Sequence, residues 1–308
     1  MNRFIWLIRR ELWEARAVWI APAICAGIVV GGAVIAALAS HPIGFGMDTA
    51  QLADMHEGLT SDKLDAIAGM SLAGVAVPFF IMLMFTQFFY SIDALFGERR
   101  ERSILFWKSL PVSDAETVLS KLAIGAVVMP AVATAAAFIA QIGVCAAAAA
   151  KLSAVSGLQG HLWSPAVWGD VLLLDLYVMA TSMLWCVPLV AFQLLVSAAA
   201  PRAPVAIAIL MPLAAAFAEW LVFRTHYVLR ILMDRSVGGL AMHIFTAHPR
   251  DGFGVHVDSD TMDLPHSLLS MMRPLDFLGS VDLWAGLAVG AALIAAAVWT
   301  RRYRDATY

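Results

Sequence analysis

Residues 122–150 read LAIGAVVMPAVATAAAFIAQIGVCAAAAA, 29 positions without one charged side chain, bounded by Lys121 and Lys151. A helix rising ~1.5 Å per residue needs about 20 apolar residues to cross a bilayer core of ~30 Å, so this stretch spans with residues to spare. Hydrocarbon offers no water to backbone N–H and C=O groups, which leaves helices and closed barrels as the spanning forms. A barrel would be written in short alternating segments, and this run is unbroken.

The same pattern recurs along the chain. Charge-free runs cover residues 17–39, 66–92, 176–200 and 283–300, and residues 203–223 are interrupted only by Glu219. With 61% hydrophobic and 14% charged residues, the composition lies outside that of an ordinary soluble domain. The expectation is an all-α polytopic membrane protein, one membrane domain over residues 1–308. Its six spans fall at about residues 17–39, 68–92, 120–150, 172–199, 203–223 and 282–300. Outside the spans the sequence predicts an N-terminal interfacial helix (1–16), a cytoplasmic segment (97–111) and an outer subdomain between spans five and six (224–281).

Lysine and arginine set the orientation. The first two loops on one side carry one each, Lys63 and Lys151, whereas the N-terminal tail, the segment between spans two and three, and the C-terminal tail carry four, five and three. That asymmetry places both termini in the cytoplasm. The formal net charge of −3 averages two faces of opposite sign and presents no basic surface for nucleic acid.

Ala37-Leu38-Ala39 has the small-residue form of a signal cleavage site. The segment before it is long and mixes Arg9, Arg10, Glu11, Glu14 and Arg16, so a retained first span is the better reading. In residues 1–16, Phe4, Ile5, Leu7, Ile8, Leu12, Trp6 and Trp13 interleave with those charges, and Trp19 follows. This predicts a helix lying in the inner interface, aromatics among the headgroups and arginines toward water, turning into span one near Pro22. A plain extension of span one fits the same residues. Cys25, Cys145 and Cys186 fall inside spans with no CxxC or Cys/His spacing, which suggests packing residues rather than a metal site or disulfide.

The segment Gly97–Pro111, GERRERSILFWKSLP, sets five consecutive charges, Glu98, Arg99, Arg100, Glu101 and Arg102, against Ile104, Leu105, Phe106 and Trp107. Lys108 and the turn Ser109-Leu110-Pro111 follow, where proline disfavours helix at Leu110. Ser113 and Glu116 then have capping-box spacing, so a new helix begins there and runs through Lys121 into span three. On composition alone, such a charge run is equally a positive-inside anchor.

Glu98-Arg99, Ser103 to Trp107, Ser109-Leu110-Pro111 and Lys121 together resemble the cytoplasmic loop of type-2 ATP-binding-cassette (ABC) exporter permeases. The resemblance extends to six spans with both termini inside, and its motif is confined to residues 97–121. It implies that Glu98, Arg99, Arg100, Glu101, Arg102, Phe106, Trp107, Lys108, Ser109, Leu110 and Pro111 form a coupling helix docking on a separate ATPase subunit. It also implies that Arg9, Arg10, Glu11, Trp13 and Arg16 belong to an N-terminal helix packed nearby. The chain has no GxxxxGK[ST] phosphate loop, so ATP and Mg are expected in the partner and no cofactor or catalytic residue in this chain. The resemblance further implies that a second permease copy, or a related permease, completes the translocation unit in the plasma (bacterial inner) membrane.

Gln87, Gln141 and Gln193 lie deep in apolar spans and either line a pathway or bond between helices. Glu219 is an acid inside a span, but its place near the end of that span predicts a solvated rim position near Arg224. Pro78, Pro130, Pro188 and Pro212 should kink four spans. The outer region holds His226, His243, His248, His256 and His266 at spacings that match no metal motif, and the apolar patches at 228–233 and 240–245 predict short helices. Asp48, Asp54, Glu57, Asp62 and Asp65 make the first outer segment acidic, with a helix expected from about Thr49. Two other classes compete with transport. An intramembrane hydrolase lacks convergent catalytic groups at depth, and a non-transporting sensor or assembly factor shares the topology. Apolar walls and few buried charges favour a peptide or amphipathic antibiotic over an ion as cargo.

Overall fold

A computed structural model of the chain describes residues 3–39, 60–101, 112–152, 158–235, 237–245 and 268–304. Among these residues the regular structure is helical, apart from one antiparallel bridge between Phe245 and Met272. Six helical stretches are long and apolar enough to cross a bilayer: Ala17–Leu38, Ser61–Arg100, Asp114–Lys151, Gln159–Trp185, Pro204–Phe223 and Val281–Tyr303. The chain is an all-helical, multi-pass membrane protein.

Helix α1 covers Arg3–Glu14 and α2 covers Ala17–Leu38. The turn expected near Pro22 falls instead at Ala15 and Arg16, where Val18 and Trp19 donate back to the carbonyls of Ala15 and Arg16. Pro22 is buried inside α2, where it removes one backbone donor and the helix continues. α3 (Ser61–Gly74) and α4 (Val77–Arg100) form one bent run, interrupted at Val75 and Ala76. α5 (Asp114–Ala123) passes through a π-helical turn (Ile124–Val128) into α6 (Met129–Lys151). After the short α7 (Leu158–Leu162), α8 (Pro165–Trp185) and α9 (Val187–Ala199) make a third bent run, broken at Cys186.

Pro78, Pro130 and Pro188 each occupy the first turn after one of these interruptions, where a missing N–H costs least. Pro212 alone of the four lies within a helix, α10 (Pro204–Phe223). Runs 61–100, 114–151 and 165–199 are longer than the spans expected at 68–92, 120–150 and 172–199. Hydropathy registers only the part in hydrocarbon, whereas a helix continues past it for as long as capping and packing hold. α11 (Tyr227–Asp234) and α12 (Val237–Ile244) occur where the apolar patches predicted short helices. A 3₁₀ turn (Leu268–Met271), α13 (Pro274–Gly279) and α14 (Val281–Arg304) complete the chain.

At the centre, α9 packs against α4, α5 and α14 through Leu95, Val118, Ala126, Val190, Leu194, Ala198 and Ala297. α2 lies along α6, where a Cβ on Gly143 would meet Val30 at 2.9 Å. Gly143→Val should therefore separate these helices, at an overpacking cost of about 1–3 kcal/mol, read as a lower denaturation midpoint in mild detergent. Unchanged stability would mean that the α2–α6 seam is loose. The outward sides of α2 and α10 expose Ile20, Ile24, Ile28, Ile35, Leu210, Phe217 and Leu221, a surface suited to lipid.

Candidate functional site

The two described termini meet at one end of the bundle. Here α1, the last turn of α4, the first turns of α5 and the last turns of α14 place charged side chains against each other. Ser113 fixes the start of α5: its Oγ accepts from the Glu116 N–H at 3.1 Å, and Glu116 accepts in return from the Ser113 N–H at 2.8 Å. The capping box expected from the spacing is formed. It sets Asp114 in the first turn and carries Lys121 inward two turns later.

Lys121 is 3% exposed and its Nζ lies 2.9 Å from Glu11 Oε1 and 3.0 Å from Glu98 Oε1. Glu98 is held from its other side by Arg301, whose Nη1 donates to Oε2 at 2.7 Å, while Arg301 Nε donates to Asp114 at 3.1 Å. Arg10 pairs with Glu11 at 2.8 Å and approaches Glu98 at 3.6 Å. Tyr90 donates to the second Glu11 oxygen at 3.5 Å. Three acids thus balance three bases in the interior of the cluster, and the exposed Glu14 adds a pair with Arg10 at 3.2 Å. Burying charges is tolerable only when each is paired and hydrogen-bonded, and this network meets that condition by drawing on four helices.

Of the charges expected to couple to a partner, the structure separates those that face inward from those that face out. Glu98 belongs to the network. Arg99 turns back into the bundle, donating to the carbonyls of Ser197 and Ala200, the latter at 3.0 Å, and so caps the end of α9. Its guanidinium also lies 5.8 Å from the centre of the Phe96 ring. Arg100 and Glu101 are exposed, 3.9 Å apart. Arg102, Phe106, Trp107, Lys108, Ser109, Leu110 and Pro111 lie outside the described residues.

In α1, Trp6 and Trp13 are exposed and Arg9 stacks over both rings, 5.5 and 5.1 Å from their centres. Arginine and aromatics therefore share one side of α1, not opposite sides as expected, because cation–π attraction and a long aliphatic stem let Arg9 lie along the rings. Arg10 and Glu11 face the bundle, and Arg16 is exposed in the turn.

The expected pathway residues do not converge: Gln87, Gln141 and Glu219 each bond a different group. Gln87 donates to the Gly125 carbonyl at 2.7 Å and so satisfies the π turn. Gly125 fits closely there, since a Cβ would meet the Val190 side chain at 3.1 Å and make it shift. Gln193 is half-buried on α9. Glu219 accepts from Thr225 Oγ1 at 2.6 Å and from the N–H groups of Tyr227 and Val228, both at 2.7 Å. It caps α11 from the preceding helix, while Arg224, the neighbour expected for it, stacks 5.0 Å from the Trp220 ring.

The acid buried within the bundle is Asp175 on α8, 5% exposed, with Gln141 of α6 fully buried 3.5 Å away. Asp175 lies inside the expected span 172–199, but as the residue before the charge-free run that begins at Leu176 it reads in sequence as a marginal charge and is not among the expected site residues. At the other end of the bundle, Arg235 lies 4.1 Å from the centre of the Trp185 ring and donates to the Asp282 carbonyl. Burial lowers its pKa from the usual arginine range, against the opposing charge of Asp282. A Cβ on Gly286 would strike this guanidinium, so the glycine makes room for it. His161 and Asp65 pair at 2.6 Å. Among the described residues no group of three or more His, Cys, Asp or Glu stands close enough to hold a metal ion, and His248, His256 and His266 fall outside them. No family model, curated protein or solved structure matches the chain.

Proposed function

We propose that the chain is the membrane-spanning subunit of an ABC exporter, transmitting ATP hydrolysis in a separate ATPase subunit to export across the plasma membrane. In this reading both termini are cytoplasmic, the chain carries no catalytic residue, and ATP and Mg are bound by the partner. A second copy or a related permease completes the pathway, and a peptide or amphipathic antibiotic suits its apolar walls.

One observation carries the reading. The segment 102–111 is flanked by α4 and α5, and the ionic network ties both flanks to α1 through Glu11 and to α14 through Arg301. A push on the segment therefore reaches four helices through paired charges rather than dissipating in a loose loop. Such coupling works only if two docked arrangements differ in affinity for the ATPase as it binds and releases ATP. Exposed Arg100 and Glu101 at the segment's root are suited to contact the partner.

The test is purification of the tagged full-length chain from native membranes in mild detergent, with ATPase assay of the co-purifying material. The expected result is a stoichiometric ATPase whose activity depends on this chain and falls at least several-fold on joint reversal, Arg100→Glu with Glu101→Lys. A folded chain that retains no ATPase would overturn the reading and leave the sensor or assembly role.

A further inference from the structure

Asp175 and Gln141 stand out because their polar atoms are incompletely used. Asp175 Oδ2 and Gln141 Oε1 are buried and have no hydrogen-bond partner among the described residues. The one contact between the two side chains, Gln141 Nε2 to Asp175 Oδ1, is long at 3.5 Å. Among the described residues no cationic side chain pairs with Asp175, and beside it lie Ala76 at the break before α4, Phe79 and Phe80 of α4, and Ala133, Thr134 and Ala137 of α6. Their depth follows from α2: Gly143, one half-turn beyond Gln141, abuts Val30 near the middle of that span. A bare carboxylate at such depth has neither water nor a counter-charge to offset its desolvation.

Asp175 also lines a cavity. The space among these six residues and Asp175 leaves about 10 Å³ for the centre of a water-sized guest, room for about one. Three features limit the guest. A single acid calls for one positive charge, whereas a divalent ion would be left undercompensated. The small room excludes organic cations of any size. The oxygens at hand, from a carboxylate, the Gln141 amide behind it and the Thr134 hydroxyl, are hard donors suited to a proton or an alkali ion.

We propose that Asp175, backed by Gln141, is the binding site for one small monovalent cation, a proton or a sodium ion, within the membrane-spanning bundle. This goes beyond the exporter reading and does not depend on an ATPase partner. The uptake balances simply: a proton adds to the carboxylate as a carboxylic acid, or sodium replaces it as counter-ion. Either removes the uncompensated charge. Asp175 then makes the packing of α8 against α3 and α6 responsive to the cation.

The experiment uses the full-length chain in lipid nanodiscs. Infrared difference spectra of wild type and Asp175→Asn are recorded across a pH series in sodium chloride or choline chloride, with thermal unfolding measured in the same buffers. A protonated-carboxyl C=O band present in wild type, absent in Asp175→Asn and unaffected by sodium assigns a proton. A band that disappears as sodium is added, with an unfolding temperature rising in sodium for wild type alone, assigns sodium. Gln141→Leu should shift the band or weaken the sodium effect, and with ¹³C-aspartate labelling of wild type it provides the assignment if Asp175→Asn fails to fold. If no carboxyl band belongs to Asp175 at any pH and sodium changes neither spectrum nor unfolding, the site does not exist.

Discussion

Replacing Lys121 with methionine is expected to destabilise the protein by about 3 kcal/mol, the lower end of the ~3–5 kcal/mol that follows loss of one partner from a buried ion pair. Methionine keeps the length and packing of the side chain and removes only its charge. Glu11 and Glu98, both within 3.0 Å of Nζ in the wild type, would then face each other without the cation between them. Arg10 still reaches Glu11 and Arg301 still holds Glu98, which is why the upper end of the range is not expected. Denaturant titration in mild detergent measures the loss, and a Glu11→Gln/Lys121→Met double variant should recover much of it, because the stranded acid goes with its partner. A loss below about 1 kcal/mol would show the cluster to be hydrated like a surface pair and too weak to tie the four helices together.

The network illustrates which parts of a membrane protein its sequence discloses. Spans are legible because bilayer thickness imposes one length scale on every apolar run, and the Ser113–Glu116 capping box because its partners are three residues apart. The pairing of Lys121 with Glu11, 110 positions away, and of Arg301 with Glu98, 203 away, has no local signature. Only the packing of α1 and α14 against α4 and α5 makes those contacts. Consecutive charges at 98–101 look alike in sequence, yet helical geometry turns Glu98 and Arg99 toward the bundle and Arg100 and Glu101 away from it. Asp175 falls inside the expected span 172–199 but just before its charge-free run, so in sequence it reads as a charge at the margin, whereas α8 begins at Pro165 and sets it well inside the helix. Glu219 was placed correctly near the end of its helix, but its role as a cap depends on the turn into α11, which the sequence does not announce.

That division of the charge run predicts opposite outcomes for two neighbouring reversals. Arg99→Glu should lower stability by about 3 kcal/mol or more. It removes a charge-assisted donor worth ~1.5–3 kcal/mol from the Ser197 and Ala200 carbonyls, and it sets a carboxylate against the negative end of the α9 dipole. The damage should spread, because Ser197 Oγ accepts from the N–H groups of both Leu95 and Phe96 at 2.9 Å, joining the end of α9 to the last turns of α4. Arg100→Glu breaks only an exposed contact with Glu101 and should change stability by less than about 1 kcal/mol. Denaturation midpoints and the yield of monodisperse protein in mild detergent distinguish the two. If Arg99→Glu is as stable as wild type, its bonds to α9 are incidental and both arginines are available to the proposed ATPase partner. If Arg100→Glu instead destabilises as strongly as Arg99→Glu, residue 100 is structural too and is removed from the contact proposed for the ATPase partner.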